Sequence, residues 1–406
     1  MAKNIVLFID GTWEANDGHV ETNVGKLFEA CRFKQKPGIQ TVYYLPGVGT
    51  DAQLSRMGSA FGAPRPDNNV QRWAAPPLGA SVWPLNRLTG GAFGYGMGAR
   101  IREAYAFLCK EYRRSEQDKI FIFGFSRGAF AARSLAGFIS KVGILMQGYE
   151  DRIPDAYKIY ESGTDEVATD LKEYLLQLTG ASAPQPELND LPIHFLGVWD
   201  TVGALGLPWR ISESIAKRTE YHDVEVPPNV MHARHAMALH ELRKHFPVLL
   251  WENKRNHQHL KQVWFPGAHG DVGGGYPEDE SGLSTSALRW MAHEAMHEGL
   301  LVEMTHPAFE PQPSNVRLHH KMTWFYALFK PQVRSQLAAL LEQCKAAKPD
   351  IDAACQFSAS CRDHLLSKQE YRFFSSRVNA ALRHVDDTAA QVCFLSRLTY
   401  NYPFAK

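Results

Sequence analysis

Lys119-Ile-Phe-Ile-Phe-Gly-Phe-Ser-Arg-Gly-Ala-Phe-Ala-Ala-Arg133 is the stretch on which the fold turns. Ile120 to Phe123 is an apolar run with the length and bulk of a buried strand. Small and helix-forming residues follow from Ala129 to Ala136. Between them lies Gly124-Phe125-Ser126-Arg127-Gly128, a G-x-S-x-G pattern. A sharp strand-to-helix turn there lifts Ser126 off the sheet edge, and the flanking glycines let the backbone crowd without Cβ clashes. The N–H of Arg127 then points where an oxyanion would form, at the positive end of a helix. An ordinary glycine-rich turn can carry the same residues. Position favours the nucleophile reading, because the pattern closes a strand and opens a helix.

Further strand-then-turn units lie on both sides. Asn4 to Ile9 reads as a strand ending in Asp10-Gly-Thr-Trp13, and Gln40 to Leu45 as a second strand. Asn23 to Phe33 reads as a helix. A Pro/Gly-rich stretch without periodicity runs from about Ser59 to Gly91. The glycine run Gly90 to Gly98 precedes an expected helix from Ala99 to Arg113. No strand precedes it in the register of a dinucleotide loop, so close packing at the helix entrance explains it better than nucleotide binding. Ile193 to Val198 is the next strand, ending in Trp199-Asp-Thr-Val-Gly203. Met231 to Phe246 is expected to be a helix carrying His232, His235, His240 and His245. His232 and His235 would then share a face as a conceivable metal pair, although packing or capping roles explain them better. Gln262 to Phe265 is a strand, followed by Pro266-Gly-Ala-His-Gly-Asp-Val-Gly-Gly-Gly-Tyr276, and Leu283 to Leu300 is an amphipathic helix. Helices are also expected at Asp165 to Thr179, Gln332 to Lys345 and Arg372 to Leu382, and His319 to Leu328 reads as a strand or a buried helix. The fold class is α/β and α/β-hydrolase-like: a mostly parallel sheet flanked by helices. Residues 1–305 form the expected catalytic domain, and residues 306–406 a mainly helical C-terminal extension packed on it.

Ser126, Asp200 and His269 occur in the chain order of α/β-hydrolase triads, each just past an expected strand. Ser126 is the expected nucleophile, His269 its base, and Asp200 the carboxylate that orients the imidazole. Arg127, Gly11 and Thr12 are the expected oxyanion donors. Asp10 and Asp271 are accessory candidates; Asp10 also suits a turn brace, and Asp271 competes with Asp200 as the orienting carboxylate. His319 or His320 is the alternative base, and Phe125 and Trp199 either wall the cleft or pack in the core. Two other readings stand beside the triad. One is metal-assisted hydrolysis through Asp10, Asp200, His269 and Asp271. The other is an inactive hydrolase fold used as a binding module.

Bulk properties narrow the field. The chain has 406 residues, 45% hydrophobic and 21% charged, which is globular rather than disordered. A formal net charge of +1 gives no electrostatic case for nucleic acid. Six cysteines without C-x-x-C spacing argue for free thiols rather than a zinc site or disulfide framework, with a local bridge among Cys344, Cys355 and Cys361 left open. No cofactor or metal is expected. No Sec signal and no apolar run of transmembrane length is visible, so the chain is expected to be made in the cytoplasm and to remain there unless signal-independent machinery exports it.

The chain also resembles the DUF2235 family of α/β-hydrolases, the catalytic domain of class-one phospholipase effectors of bacterial type VI secretion. The resemblance rests on Phe8 to Trp13, Tyr44 to Thr50, Gly124 to Gly137, Gly197 to Gly203, His235 to Leu239 and Phe265 to Tyr276. These segments are collinear and span roughly the first three quarters of the chain. It implies hydrolysis of carboxylic esters, and in the effector members of phospholipid acyl esters, by Ser126, Asp200 and His269. It implies as partners an ester or lipid substrate, contact with a membrane surface, and a secretion-system or immunity protein.

Overall fold

The sheet begins with a strand that is buried on both faces. In the computed structural model, β1 (Asn4–Ile9) runs NIVLFI. The structure describes residues 2–11, 21–47, 90–162, 178, 193–202, 225–241, 243, 246–251, 254–310, 319, 355–358 and 399–400. Ile5, Leu7 and Ile9 point into one apolar layer, Val6 and Phe8 into the other. Each fully buried aliphatic side chain of this size contributes about 1.5–3 kcal/mol. A continuous apolar run, rather than an alternating one, is what a parallel strand covered by helices on both sides requires.

β1 pairs in parallel with β2 (Gln40–Leu45) on one side and β3 (Lys119–Phe125) on the other. The sheet continues through β4 (Ile193–Trp199), β5 (Val230–Ala238) and β6 (His259–Phe265), all parallel. Two short strands, β7 (Cys355–Ser358) and β8 (Thr399–Tyr400), extend it beyond β6. The strand order β2-β1-β3-β4-β5-β6-β7-β8 reverses direction between β1 and β3. In open α/β sheets, ligands collect outside the carboxyl ends of the strands at such a reversal. Gly11 follows β1 there, and Ser126 follows β3.

Helices cover both faces. α2 (Gly90–Glu111), α3 (Arg127–Val142) and α4 (Ile153–Ser162) contribute to the layer of Ile5 and Leu7. α1 (Asn23–Arg32) and α6 (Gly282–His297) contribute to the layer of Val6 and Phe8. Between β6 and α6 lies the short helix α5 (His269–Gly273). Thr22 caps α1 by accepting the Gly25 N–H at 3.2 Å, a contribution of about 1 kcal/mol. Cys31 and Cys109 are buried free thiols, and burial pushes both up in pKa.

Three expectations are corrected or limited. The glycine run lies inside α2 rather than ahead of it. Met97, Ile101, Ala104, Tyr105 and Leu108 form the buried stripe of that helix, and a Cβ on Gly98 would come within 3.1 Å of the Tyr157 hydroxyl on α4. The second correction concerns the stretch expected as a helix from Met231 to Phe246, which is instead strand β5 through Ala238. His232 and His235 therefore alternate across the sheet and do not share a face. The described parts of the C-terminal quarter include two strands of the main sheet. The helices expected at 332–345 and 372–382 lie outside the described residues, as does 165–179 apart from Leu178. Among the described residues no helix is long and apolar enough to cross a membrane.

The contact between α3 and β1 yields a test. A Cβ on Gly128 would sit 2.1 Å from the Ile9 carbonyl oxygen and 2.6 Å from the Asp10 backbone. Neither backbone can retreat from the centre of a parallel sheet, so Gly128→Ala should cost about 3 kcal/mol or more. Gly137, on the same helix, has nothing nearer than 3.6 Å, and Gly137→Ala should be neutral or stabilise by about 0.5–1 kcal/mol. Urea unfolding of the two variants decides the point; equal midpoints would refute the close approach.

Candidate active site

Ser126 is the single residue between β3 and α3. Its backbone sits at φ 56° and ψ −119°, a left-handed conformation that costs a non-glycine residue about 1–3 kcal/mol. The surroundings enforce it. The Ser126 N–H donates to the Trp199 carbonyl at 3.1 Å, and its carbonyl accepts the Phe130 N–H at 3.2 Å. A Cβ on Gly124 would lie 2.5 Å from the Gly128 carbonyl oxygen. The glycines on either side of the serine thus touch each other across the turn.

Asp200 follows β4, is fully buried, and also has positive φ, 38°. Its N–H donates to the Ala236 carbonyl at 2.7 Å, and its Oδ1 accepts the Ala238 N–H at 2.8 Å. Next to it, the Thr201 N–H donates to Nε2 of His235 at 3.1 Å. The end of β5 therefore fixes the turn that carries the carboxylate.

His269 opens α5. His240 clamps the loop before it: its N–H donates to the Gly267 carbonyl at 2.9 Å, and its Nδ1 accepts the Gly267 N–H at 2.7 Å. The His269 N–H donates to Glu241 Oε2 at 3.3 Å. Phe125 and Phe246 flank the imidazole, with ring centroids at 4.7 and 5.6 Å. Its Nδ1 is 2.6 Å from Asp200 Oδ2, and its Nε2 is 2.8 Å from Ser126 Oγ. An ionised carboxylate only accepts, so the network assigns the proton to Nδ1 and leaves the Nε2 lone pair facing the serine hydroxyl. The structure brings Ser126, His269 and Asp200 into one buried chain of hydrogen bonds.

Comparison with known proteins places the chain in a family. Residues 3–294 match the family model described as T6SS, Phospholipase effector Tle1-like, catalytic domain. The chain belongs to that family. A curated relative, Uncharacterized protein YEL023C of Saccharomyces cerevisiae, is 31% identical over 255 residues, covering 61% of this chain. The chain covers 32% of that protein's length. Two solved structures are also similar. An uncharacterized protein from Pseudomonas aeruginosa is 17% identical with a TM-score of 0.39, covering 98% of this chain and 62% of that one. A Tle1 effector bound to the VgrG spike from the type 6 secretion system is 19% identical with a TM-score of 0.33, covering 70% and 52%.

In this Tle1-like chain the remaining candidates take other places. Asp10 is a brace. Its Oδ1 accepts the Gly11 N–H at 2.7 Å, and its Oδ2 accepts the hydroxyls of Thr22 at 2.7 Å and Tyr44 at 2.6 Å. Burial raises its pKa against the pull of these bonds. The expectation that Gly11 donates to an oxyanion is revised, because its N–H is held by Asp10. Gly11 matters instead for what it lacks, since a Cβ there would come within 3.2 Å of the Ser126 Cβ. Thr12, His245 and His320 lie outside the described residues. Asp271 turns away from His269. Its Oδ2 accepts the N–H groups of Ala268 at 2.9 Å and His319 at 3.1 Å, and its Oδ1 meets His319 Nδ1 at 2.6 Å. His319 Nε2 in turn meets Glu280 Oε2 at 2.9 Å. Asp10, Asp200, His269 and Asp271 do not converge as a metal set. Among the described residues the side chains that gather within 4.8 Å are His194, His232 and Glu298. Trp199 is fully buried and Phe125 nearly so, which makes them core residues behind the site. Sequence reasoning missed the clamp of His240 and Glu241 and the support from His235, because the β5 region was read as a helix.

The strain at Ser126 can be measured. Ser126→Ala and Ser126→Gly both lose the Oγ hydrogen bond, but only glycine relaxes at φ 56°. Ser126→Gly should be the more stable of the two by about 1 kcal/mol. Identical unfolding midpoints would show that the turn holds no strain.

Proposed function

We propose that the chain is a serine hydrolase of carboxylic esters, with lipid or phospholipid acyl esters as its substrate class. The observation that carries the reading is the pair of short contacts through one imidazole, 2.6 Å to Asp200 and 2.8 Å to Ser126. Membership in the Tle1-like phospholipase effector family supports the lipid substrate.

In this mechanism Ser126 Oγ attacks the ester carbonyl carbon as His269 Nε2 takes its proton. The tetrahedral oxyanion forms beside the first turn of α3, where the Arg127 N–H and the helix dipole stabilise negative charge. The imidazolium then protonates the leaving alkoxide, and an acyl-serine ester remains. Water, deprotonated by the same imidazole, attacks that ester; the acyl–Oγ bond breaks, the imidazolium returns its proton to Ser126 Oγ, and the carboxylic acid leaves. Asp200 holds the Nδ1 tautomer and stabilises the imidazolium throughout. Its two backbone-fixed contacts, at Ala236 and Ala238, keep it in place while the charge develops. The family description also supports delivery by a secretion system as the setting in which such an enzyme acts.

The test is release of p-nitrophenol from short- and long-chain esters, and of fatty acid from phospholipid vesicles. Ser126→Ala should lower kcat by at least about 10³-fold, and Asp200→Asn by about 10²–10⁴-fold. A fluorophosphonate should label the wild type at Ser126 and leave His269→Ala largely unlabelled. Equal turnover by wild type and Ser126→Ala on every ester would overturn the reading.

A further inference from the structure

At the other end of the sheet, three histidines and a carboxylate gather where the serine chemistry has no use for them. A bulge in the β3–β4 pairing pairs Ile120 with Ile193 and Phe121 with Phe195, and leaves His194 as the extra residue. Bulges re-aim side chains. This one sets the His194 ring 5.3 Å from that of His232 on β5. Glu298, which follows the last residue of α6, closes the group: its Oε2 is 3.1 Å from His232 Nε2, and its carbonyl is 2.9 Å from His194 Nε2. His259 on β6 stacks on His232 at 5.0 Å.

The hydrogen bonds within the group do not satisfy it. His232 is 8% exposed, yet its Nδ1 has no hydrogen-bond partner among the described residues. Both His194 and His232 turn Nε2 toward oxygens of Glu298. A divalent cation can take the place of the protons held there, with the same nitrogens and the carboxylate as its ligands. One ligand atom from each of His194, His232 and Glu298 lies within 4.8 Å of the others. A tetrahedral zinc ion with bonds of about 2.0–2.1 Å sets its ligand atoms about 3.3 Å apart. The His232–Glu298 contact already matches that edge, and the His194 nitrogen would close in from within 4.8 Å to complete the set. Two imidazoles and one carboxylate favour zinc-class divalent ions over magnesium or calcium. Arg234, whose charge acts on His232, is held by Glu294, which also pairs with Lys261. Lys119, beside His194, is exposed.

We propose that His194, His232 and Glu298 bind one zinc-class divalent ion that ties the starts of β4 and β5 to the end of α6. Water fills the remaining coordination. From residue 194 to residue 200 the strand spans roughly 20 Å at about 3.3 Å per residue. The ion is therefore a structural brace, remote from Ser126.

Untagged full-length protein, stripped with chelator and dialysed against zinc, should hold one zinc per chain by elemental analysis. Its Tm should rise by a few degrees when zinc is added. Cobalt should give the visible absorption of a tetrahedral N/O site. Glu298→Gln and His232→Ala should each weaken zinc binding at least tenfold, while Ser126→Ala and His269→Ala should retain it. Glu298 is partly exposed, so Glu298→Gln tests the site even where His232→Ala fails to fold. Less than a tenth of an equivalent of zinc in the wild type would overturn the proposal. So would full binding by Glu298→Gln, or loss of zinc in His269→Ala, which would put the metal at the serine site.

Discussion

The Ile9 carbonyl oxygen occupies the place where a side chain on Gly128 would be, and much of the site depends on that contact. It lets the first turn of α3 abut the end of β1. The helix N-terminus, the end of β1 and the serine then share one corner of the sheet. The chain reversal that places β1 beside both β2 and β3 makes this corner a natural crevice. Ser126 accepts a strained backbone as a consequence. The strain is held by parts that cannot move: the Trp199 carbonyl on one side and the first turn of α3 on the other.

Positioning of the histidine follows a different logic. Its loop lies between β6 and α6, and the fixing groups come from the end of β5 and the residues just after it. His240 clamps Gly267, Glu241 takes the His269 N–H, and Asp200 is pinned by the backbone of Ala236 and Ala238. One strand thus orients both the base and its carboxylate. Few of these contacts come from helices. Parallel strands end at a common edge, and the residues just past their ends are the ones that can meet there.

β5 also shows how a central strand carries polar residues. Arg234 is 2% exposed, and its Nε lies 2.5 Å from Glu294, which also holds Lys261 at 2.9 Å. A buried guanidinium is tolerable only with such a partner. The partner lies sixty positions away in sequence. The polar residues from Met231 to Phe246 therefore read, in sequence alone, as a histidine-rich helix. Asp271 is a similar case. From spacing it competes with Asp200 for His269, but its oxygens are engaged by Ala268 and His319.

By itself, the sequence determined the strand-turn-helix unit around Ser126, the apolar parallel strands, and the chain order of the serine, carboxylate and histidine. These are local properties: apolar runs of strand length, glycines where a turn must crowd, and chemistry-bearing residues just past strand ends. Only the tertiary structure decided that residues 230–238 are a strand, that Asp10 is a brace holding the Gly11 N–H, and that Asp271 pairs with His319. It alone brought His194, His232 and Glu298 together. Each of these depends on which distant group fills a hydrogen-bonding position. Sequence spacing says which residues can share a face of one element, but not which residues meet across strands.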